Sequence, residues 1–293
     1  MNNRLCSELE KRIQQIEPTF KLHSQHAVSG GCINRCYQLV GSTQNYFLKL
    51  NHASQQQMFV AEAAGLNELH QSQTLRTPKP LLSGIIGEQS FLLMEFIDFD
   101  QHSGNQRQLA EQLVQLHQQS ATQFGWSQNN TIGATPQCNQ QQSDWLTFWR
   151  EQRLGFQLKL TTKKGHRGKL HELGAELLEK MPHFFANHQP QPSLLHGDLW
   201  AGNVAYANGQ PVIFDPAVYY GDRETDLAMS ELFGGFNAEF YAAYQHHWPL
   251  DAGYSVRKTL YNLYHILNHL NLFGGSYQTQ AEGMMQTLLA DVR

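Results

Sequence analysis

Apolar residues recur at helical spacing from the start of the chain: Leu5, Leu9, Ile13 and Ile16 share one side, and the pattern predicts an opening amphipathic helix that ends at Pro18. The period then changes. "FKLHSQHAVSGGCINRCYQLVGSTQNYFLKL" alternates apolar and β-branched residues with polar ones, and is broken by Ser29–Gly31 and by "GSTQN". That predicts three antiparallel strands joined by a glycine-containing turn and a short hairpin loop. A helix is expected over about 55–74, with Phe59, Ala63, Leu66 and Leu69 on one face. "PKPLLSGIIGEQSFLLMEFI" adds two strands around a Gly-Glu turn, completing five strands with one main inserted helix.

Beyond about residue 105 the spacing turns helical, beginning with Leu109, Leu113 and Leu116. Residues 120–142 are rich in Gln and Asn, show no period and read as a long loop. Helices return at about 143–160 and 167–181, linked by the basic stretch "TTKKGHRGK". "NVAYANGQPVIFDPA" reads as a tight hairpin turning at Asn208–Gly209, and everything after residue 224 is again helical. There are no internal repeats. The prediction is an α+β chain in two lobes: a sheet-rich lobe over 1–97 and a larger helical lobe over 98–293.

Composition narrows the classes. The net charge of −4 argues against a broad nucleic-acid surface. No apolar run approaches the roughly 18–20 residues of a membrane span. "MNNRLCSELEKRIQQIEP" is too charged for a signal peptide, so a cytoplasmic protein with reduced thiols is expected. The four cysteines include no C-x-x-C pair, which speaks against structural zinc. His265 and His269 stand four apart on one helical face, but two ligands without a third make a weak metal site. His246–His247 reads the same way.

The chemistry concentrates in "LLHGDLWAGN" at 194–203. His196, Asp198, Leu199 and Asn203 keep the spacing of the kinase catalytic loop H-R-D-L-x-x-x-N, with Gly197 in place of Arg. Phosphoryl transfer needs a carboxylate at the attacking hydroxyl and oxygen ligands for Mg2+ beside the triphosphate. Asp198 suits the base, and Asn203 suits a metal ligand. Asp215 in "VIFDPA" suits the second acidic ligand. Lys49 in "NYFLKLN" suits the lysine that holds ATP phosphates, with Glu62 in "MFVAEAAGL" as its partner. Gly30, Gly31 and Cys32 in "SGGCIN" could fold over the phosphates. Met94, Glu95 and Ile97 in "LLMEFI" suit the strand and hinge that meet adenine. Each piece alone is weak. Their order along the predicted elements carries the reading of the 1–97 lobe as the nucleotide-binding one.

The chain resembles the fructosamine kinases (ketosamine-3-kinases), which share the protein-kinase-like fold with aminoglycoside phosphotransferases and choline kinases. The resemblance rests on "GGCIN", "MFVAEAAGL", "HGDLWAGN", "FDPAVYYGDRETDLAMSELFGGF" and "HLNLFGGSY". It covers nearly the whole chain except the 120–142 loop. It implies ATP- and Mg2+-dependent phosphorylation of the 3-hydroxyl of a ketose joined through carbon 1 to an amine, on a free metabolite or a glycated protein, as a repair step. It carries Asp198 over as base, Asn203 and Asp215 as Mg2+ ligands, and Lys49 with Glu62 as the phosphate-holding pair. Trp200 is expected against the sugar, and Arg153 is expected to help shape the acceptor pocket. His196 and Asp226 are expected as structural support for the catalytic loop. A cysteine is common in the family at Cys32, whose setting favours a thiolate and a redox switch, by a disulfide between subunits. Monomer and homodimer both stay open. Alternatives are a kinase for an aminoglycoside or amino alcohol, and a nucleotide-binding pseudokinase scaffold. Pro216 follows Asp215 directly with no phosphorylatable loop after it, so the site is expected to be assembled at all times.

Overall fold

A computed structural model describes residues 1–28, 33–101 and 104–292. The chain opens with α1 (Asn3–Ile13), whose first turn is capped by Asn2 accepting from the Leu5 N–H. This helix stops short of the expected Pro18. The chain turns after Ile13 and leaves Ile16 47% exposed, because Phe20 must swing back, fully buried, to meet Tyr46 edge-on at 5.3 Å. The Gln14 amide donates to the Phe20 carbonyl across that turn.

Strands β1 (Leu22–Val28), β2 (Arg35–Gly41) and β3 (Asn45–His52) follow, then α2 (Gln56–Gln71), β4 (Pro80–Ile86) and β5 (Gln89–Glu95). They form one antiparallel five-stranded sheet in the order β1-β2-β3-β5-β4. The period of two along β3 decides where the chemistry sits. Tyr46, Leu48 and Leu50 pack with Leu5, Leu9 and Ile13 of α1 on one face. Phe47 packs on the other face with Met58, Phe59 and Leu66 of α2, and Lys49 follows it to that face. The sheet is therefore closed by α1 behind and presents Lys49 toward α2 and the cleft.

The second lobe comprises α3 (Gln106–His117), a hairpin of β6 (Asn130–Ile132) and β7 (Thr135–Gln137), α4 (Trp145–Phe148), a π-helical stretch Trp149–Leu154 and α5 (Gly155–Lys163). Next come α6 (Lys169–Lys180), α7 (Pro182–Phe185), β8 (Ser193–Leu195), β9 (Val204–Ala207), β10 (Gln210–Ile213) and β11 (Tyr219–Gly221). Helices α8 (Glu224–Leu232), α9 (Ala238–His247), α10 (Tyr254–Phe273) and α11 (Tyr277–Ala290) complete it. One continuous core joins these elements, in which Trp149 meets Tyr261 edge-on at 4.8 Å and Trp145 at a tilt. No helix among the described residues is long and apolar enough to cross a membrane.

Two turns fix the geometry that follows. β9 and β10 are joined through Asn208 (φ 52°) and Gly209 (φ 74°), the double positive φ of a type I′ hairpin, and Asp100 accepts both their N–H groups. The segment 120–142, expected as a loop, instead holds the β6–β7 hairpin. Its strands are three residues each, and of their four buried side chains only Ile132 is apolar, the others being Asn130, Thr135 and Gln137. Periodicity of hydrophobic positions is silent about such a strand.

Candidate active site

A cavity of about 200 Å³ lies between the lobes. Lys49, Glu62 and Met58 line it from the sheet and α2, and Asp198, Asn203 and Asp215 from the second lobe. Trp200, Pro216 and Ala217 join them, and so do Ile33, Asn34 and Cys36 from the approach to β2.

The buried strand β8 delivers the catalytic loop. Leu195 pairs with Tyr219 of β11, so the polar run from His196 begins at a fixed point. Gly197 has φ +81°, and a Cβ built there would lie 2.1 Å from the Ala217 carbonyl oxygen. No side chain fits at this position, which is why the arginine of the protein-kinase loop has no counterpart. Asp226, at the start of α8, accepts the His196 and Gly197 N–H groups at 2.8 Å each and faces His117 at 3.2 Å. Burial pushes its carboxyl up, but the hydrogen bonds from His117 and the Gly197 N–H outweigh it and hold its pKa below the usual range. His196 is fully buried, and burial lowers its pKa. Its neutral tautomer satisfies both neighbours: Nε2–H donates to the Phe214 carbonyl, and Nδ1 accepts the Asp198 N–H.

Asp198 is pushed up to about 7, first by burial and then by the charge of Asp215, against a hydrogen bond from Asn203. A carboxyl poised near neutrality suits proton exchange with a substrate hydroxyl. The Asn203 amide nitrogen donates to the Asp198 carbonyl and carboxylate at 2.9 and 3.2 Å. That leaves its Oδ1 with no partner among the described residues. Asp215 has φ +55°, a conformation rare for anything but glycine, and its side chain is 45% exposed. Lys49 donates to Glu62 at 2.5 Å and also to the Asp215 carboxylate. Burial pulls the Lys49 pKa down, but the two carboxylates push it above its ordinary value, so the ammonium is fully charged.

The donor set fits a magnesium ion. Asn203 Oδ1 and the Asp215 carboxylate are hard oxygen ligands on one cavity wall, as Mg2+ requires, and few protein ligands suffice because substrate phosphates supply the rest.

The remaining expected residues are placed as follows. Trp200 lines the cavity with its ring lying over Gly202, where a Cβ would come within 2.2 Å of it, and its edge meets Phe233. Arg153 does not line the cavity. It is fully buried and lies 4.0 Å above the Tyr219 ring, donating to the Cys138 carbonyl and the Asn139 side chain, outside the cavity wall. Met94 is buried with Met58, Phe59 and Leu66, between the sheet and α2. Glu95 turns its carboxylate to Arg76 at 2.8 Å, and its N–H is taken by the Lys79 carbonyl. Ile97 packs on Ala207 and Val212 under the type I′ hairpin. None of these three lines the cavity. Gly30, Gly31 and Cys32 lie outside the described residues. Unforeseen in the cavity wall are Asn130, Thr131 and Gly133 of the β6–β7 hairpin. The signal available was "TIGAT", a glycine between Thr-Ile and Ala-Thr, submerged in Gln and Asn.

The family model described as fructosamine kinase matches residues 6–291. A protein assigned as a ketoamine kinase in Synechocystis sp. is 47% identical, over 94% of this chain and 95% of that one. A chloroplastic protein-ribulosamine 3-kinase of Arabidopsis thaliana is 42% identical over 90% of this chain and 82% of its own length. The crystal structure of a protein assigned as a fructosamine-3-kinase from Haemophilus somnus superposes with a TM-score of 0.87 at 28% identity, covering 96% of each chain. An aminoglycoside phosphotransferase shares the fold at 16% identity and a TM-score of 0.64, covering 98% of this chain and 99% of that one.

Proposed function

The chain belongs to the fructosamine kinase family and is a phosphotransferase acting on a hydroxyl; on that premise we propose that it transfers the γ-phosphoryl group of ATP to the 3-hydroxyl of ketosamines. The observation that carries the reading is the meeting of Asp198, Asn203, Asp215, Lys49 and Glu62 around one cavity. Asp198 orients the attacking hydroxyl and takes its proton as the new bond to phosphorus forms. Lys49, held by Glu62, places its ammonium against ATP phosphate oxygens. Asn203 and Asp215 would hold Mg2+, whose charge would offset that developing on the transferred group. Trp200 offers the acceptor sugar a flat apolar face beside Asp198. Asp226 and His196 keep the loop's main chain fixed, so the carboxylate does not reorganise during transfer.

The acceptor class follows the relatives, one of which is a protein-ribulosamine 3-kinase and another assigned as a ketoamine kinase. A phosphate on carbon 3 beside the carbon-2 carbonyl system is a good leaving group, so elimination frees the amine and the reaction serves repair of glycated amines. Among the described residues, the cavity's only carboxylates are Glu62, Asp198 and Asp215, all engaged in the phosphoryl-transfer set. A polycationic aminoglycoside finds no further acidic wall there. A pseudokinase scaffold is disfavoured by the presence of a base, both metal-binding side chains and the paired lysine. We divide the chain at 97/98, just past the last sheet strand, and assign the enzyme to the cytoplasm, where ATP is available. The test is ATP consumption across a panel of ketosamines, aminoglycosides and amino alcohols. Turnover is expected with fructosamine or ribulosamine adducts, and turnover confined to the other two classes contradicts the reading.

A further inference from the structure

The β6–β7 hairpin borders the cavity, yet none of the steps above uses it. Its buried side chains reach the main chain just beyond Asp215. Asn130 Nδ2 donates to the Val218 carbonyl at 2.8 Å, and Gln137 Nε2 donates to the Ala217 carbonyl at 3.1 Å. The same Gln137 nitrogen donates its second hydrogen to Asn130 Oδ1 at 2.9 Å. The acceptors are filled from behind: Tyr264 donates to Gln137 Oε1 at 2.7 Å, and Asn139 to Asn130 Oδ1 at 2.9 Å. Arg153 in turn donates to Asn139 Oδ1 at 2.7 Å, which accounts for its burial. Each amide thus has one orientation that satisfies its partners, and the ladder cannot flip without orphaning buried groups.

The held segment needs holding. Asp215 adopts a left-handed φ of +55°, which a non-glycine residue keeps only where its surroundings over-determine it. On one side the Phe214 N–H is taken by the Asn203 carbonyl, and the Ala217 N–H by the His196 carbonyl. The amide ladder grips the same segment from the opposite side. The hairpin turn also spans the cleft: a Cβ on Gly133 would lie 3.3 Å from both Ile33 and Leu272.

We propose that Asn130 and Gln137 are positioning residues for phosphoryl transfer, holding Ala217 and Val218 so that Asp215 keeps the conformation that meets the metal–nucleotide. In switchable kinases an ordered activation segment supplies that support after phosphorylation. Here uncharged amides supply it permanently. The inference rests on the phosphotransferase reading and not on the identity of the acceptor.

The variants Asn130→Asp and Gln137→Glu preserve size while replacing a donor N–H with an oxygen facing a carbonyl. Calorimetric titration with Mg2+ and a non-hydrolysable ATP analogue needs no acceptor, so it reads the proposal separately from the ketosamine assignment. Weakening of Mg2+–nucleotide binding by about 10- to 100-fold is expected, with a matching fall in kcat and a ketosamine KM within about twofold of wild type. Affinity and kcat per folded molecule equal to wild type, with only thermal stability reduced, would overturn it. Should either variant fail to fold, Asn130→Ala and Gln137→Met remove the same donors without adding a charge and are judged by the same criteria. Wild-type protein that bound no nucleotide would remove the phosphotransferase reading and this inference together.

Discussion

Two clusters of paired charge, one in the cleft and one within the second lobe, are built to opposite ends. In the cleft, Lys49 joins Glu62 and Asp215, and the Asp215 side chain remains 45% exposed in a left-handed turn. In the second lobe, His188, Asp222, Glu224 and Arg257 form a closed set. His188 contacts Asp222 at 2.6 Å and Asp251 at 2.7 Å, Tyr261 donates to Asp222, and Arg257 grips Glu224 through two nitrogens at 2.7 and 2.8 Å. By residue type alone, His188, Asp222 and Glu224 resemble a metal site. Their acceptors are already engaged by Arg257, Tyr261 and the Glu224 N–H, so the cluster serves the fold. Open valence, backbone strain and solvent access distinguish the reactive cluster from the sealed one, and composition does not.

The sharpest way to break the comparison is at the base. Asp198→Asn should lower kcat by about 10²- to 10⁴-fold while calorimetry finds nucleotide affinity nearly unchanged. Lys49→Met should lower turnover by about 10²-fold or more and raise the KM for ATP. The sealed cluster should respond the other way round. Arg257→Met leaves Glu224 buried and uncompensated, and should destabilise the fold by about 3–5 kcal/mol, read as a lower midpoint in chemical unfolding. The kcat per folded molecule should stay near wild type. Adding Mg2+ or a chelator should change activity strongly and leave the Arg257 effect untouched.

The smallest expected effect is one of pH. Burial lowers the His188 pKa, but the hydrogen bond and charge of Asp222 outweigh it, so the folded value lies above the ordinary 6.5. The stabilisation from this imidazolium is therefore fully present below about 6.5 and is lost as pH rises through the raised folded pKa. Melting temperature should decline over that window in wild type, and the decline should flatten in His188→Gln. An unchanged slope would remove His188 from the account.

How much of this was legible in the sequence depended on what kind of contact each element makes. The helix of Phe59, Leu66 and Leu69 and the turn at Asn208–Gly209 are local patterns, and both stand within a few residues of expectation. Asp198, Asn203, Asp215, Lys49 and Glu62 converge because spacing on predicted elements placed them in order along a two-lobed fold. The β6–β7 hairpin was illegible for the same physical reason that makes it useful. Its strands bury amides, and their partners at Ala217 and Val218 lie about 80–90 residues away in the chain. The burial of Arg153 was illegible likewise, since a cation buried over Tyr219 and Phe148 leaves no mark in its neighbouring residues. Ile16 shows the limit of periodicity at a helix end, where burial of Phe20 four residues on decides the outcome.

The central claim is that Asp198 directs ATP phosphate to one hydroxyl of a ketosamine, and locating the phosphate on the product tests it most directly. Phosphorus–proton correlation NMR of the product from a ribulosamine or fructosamine, ATP and Mg2+ should show a single phosphate coupled to the proton on carbon 3 of the ketose. Coupling to any other carbon's proton, or the same product at the same rate from Asp198→Asn, would contradict it.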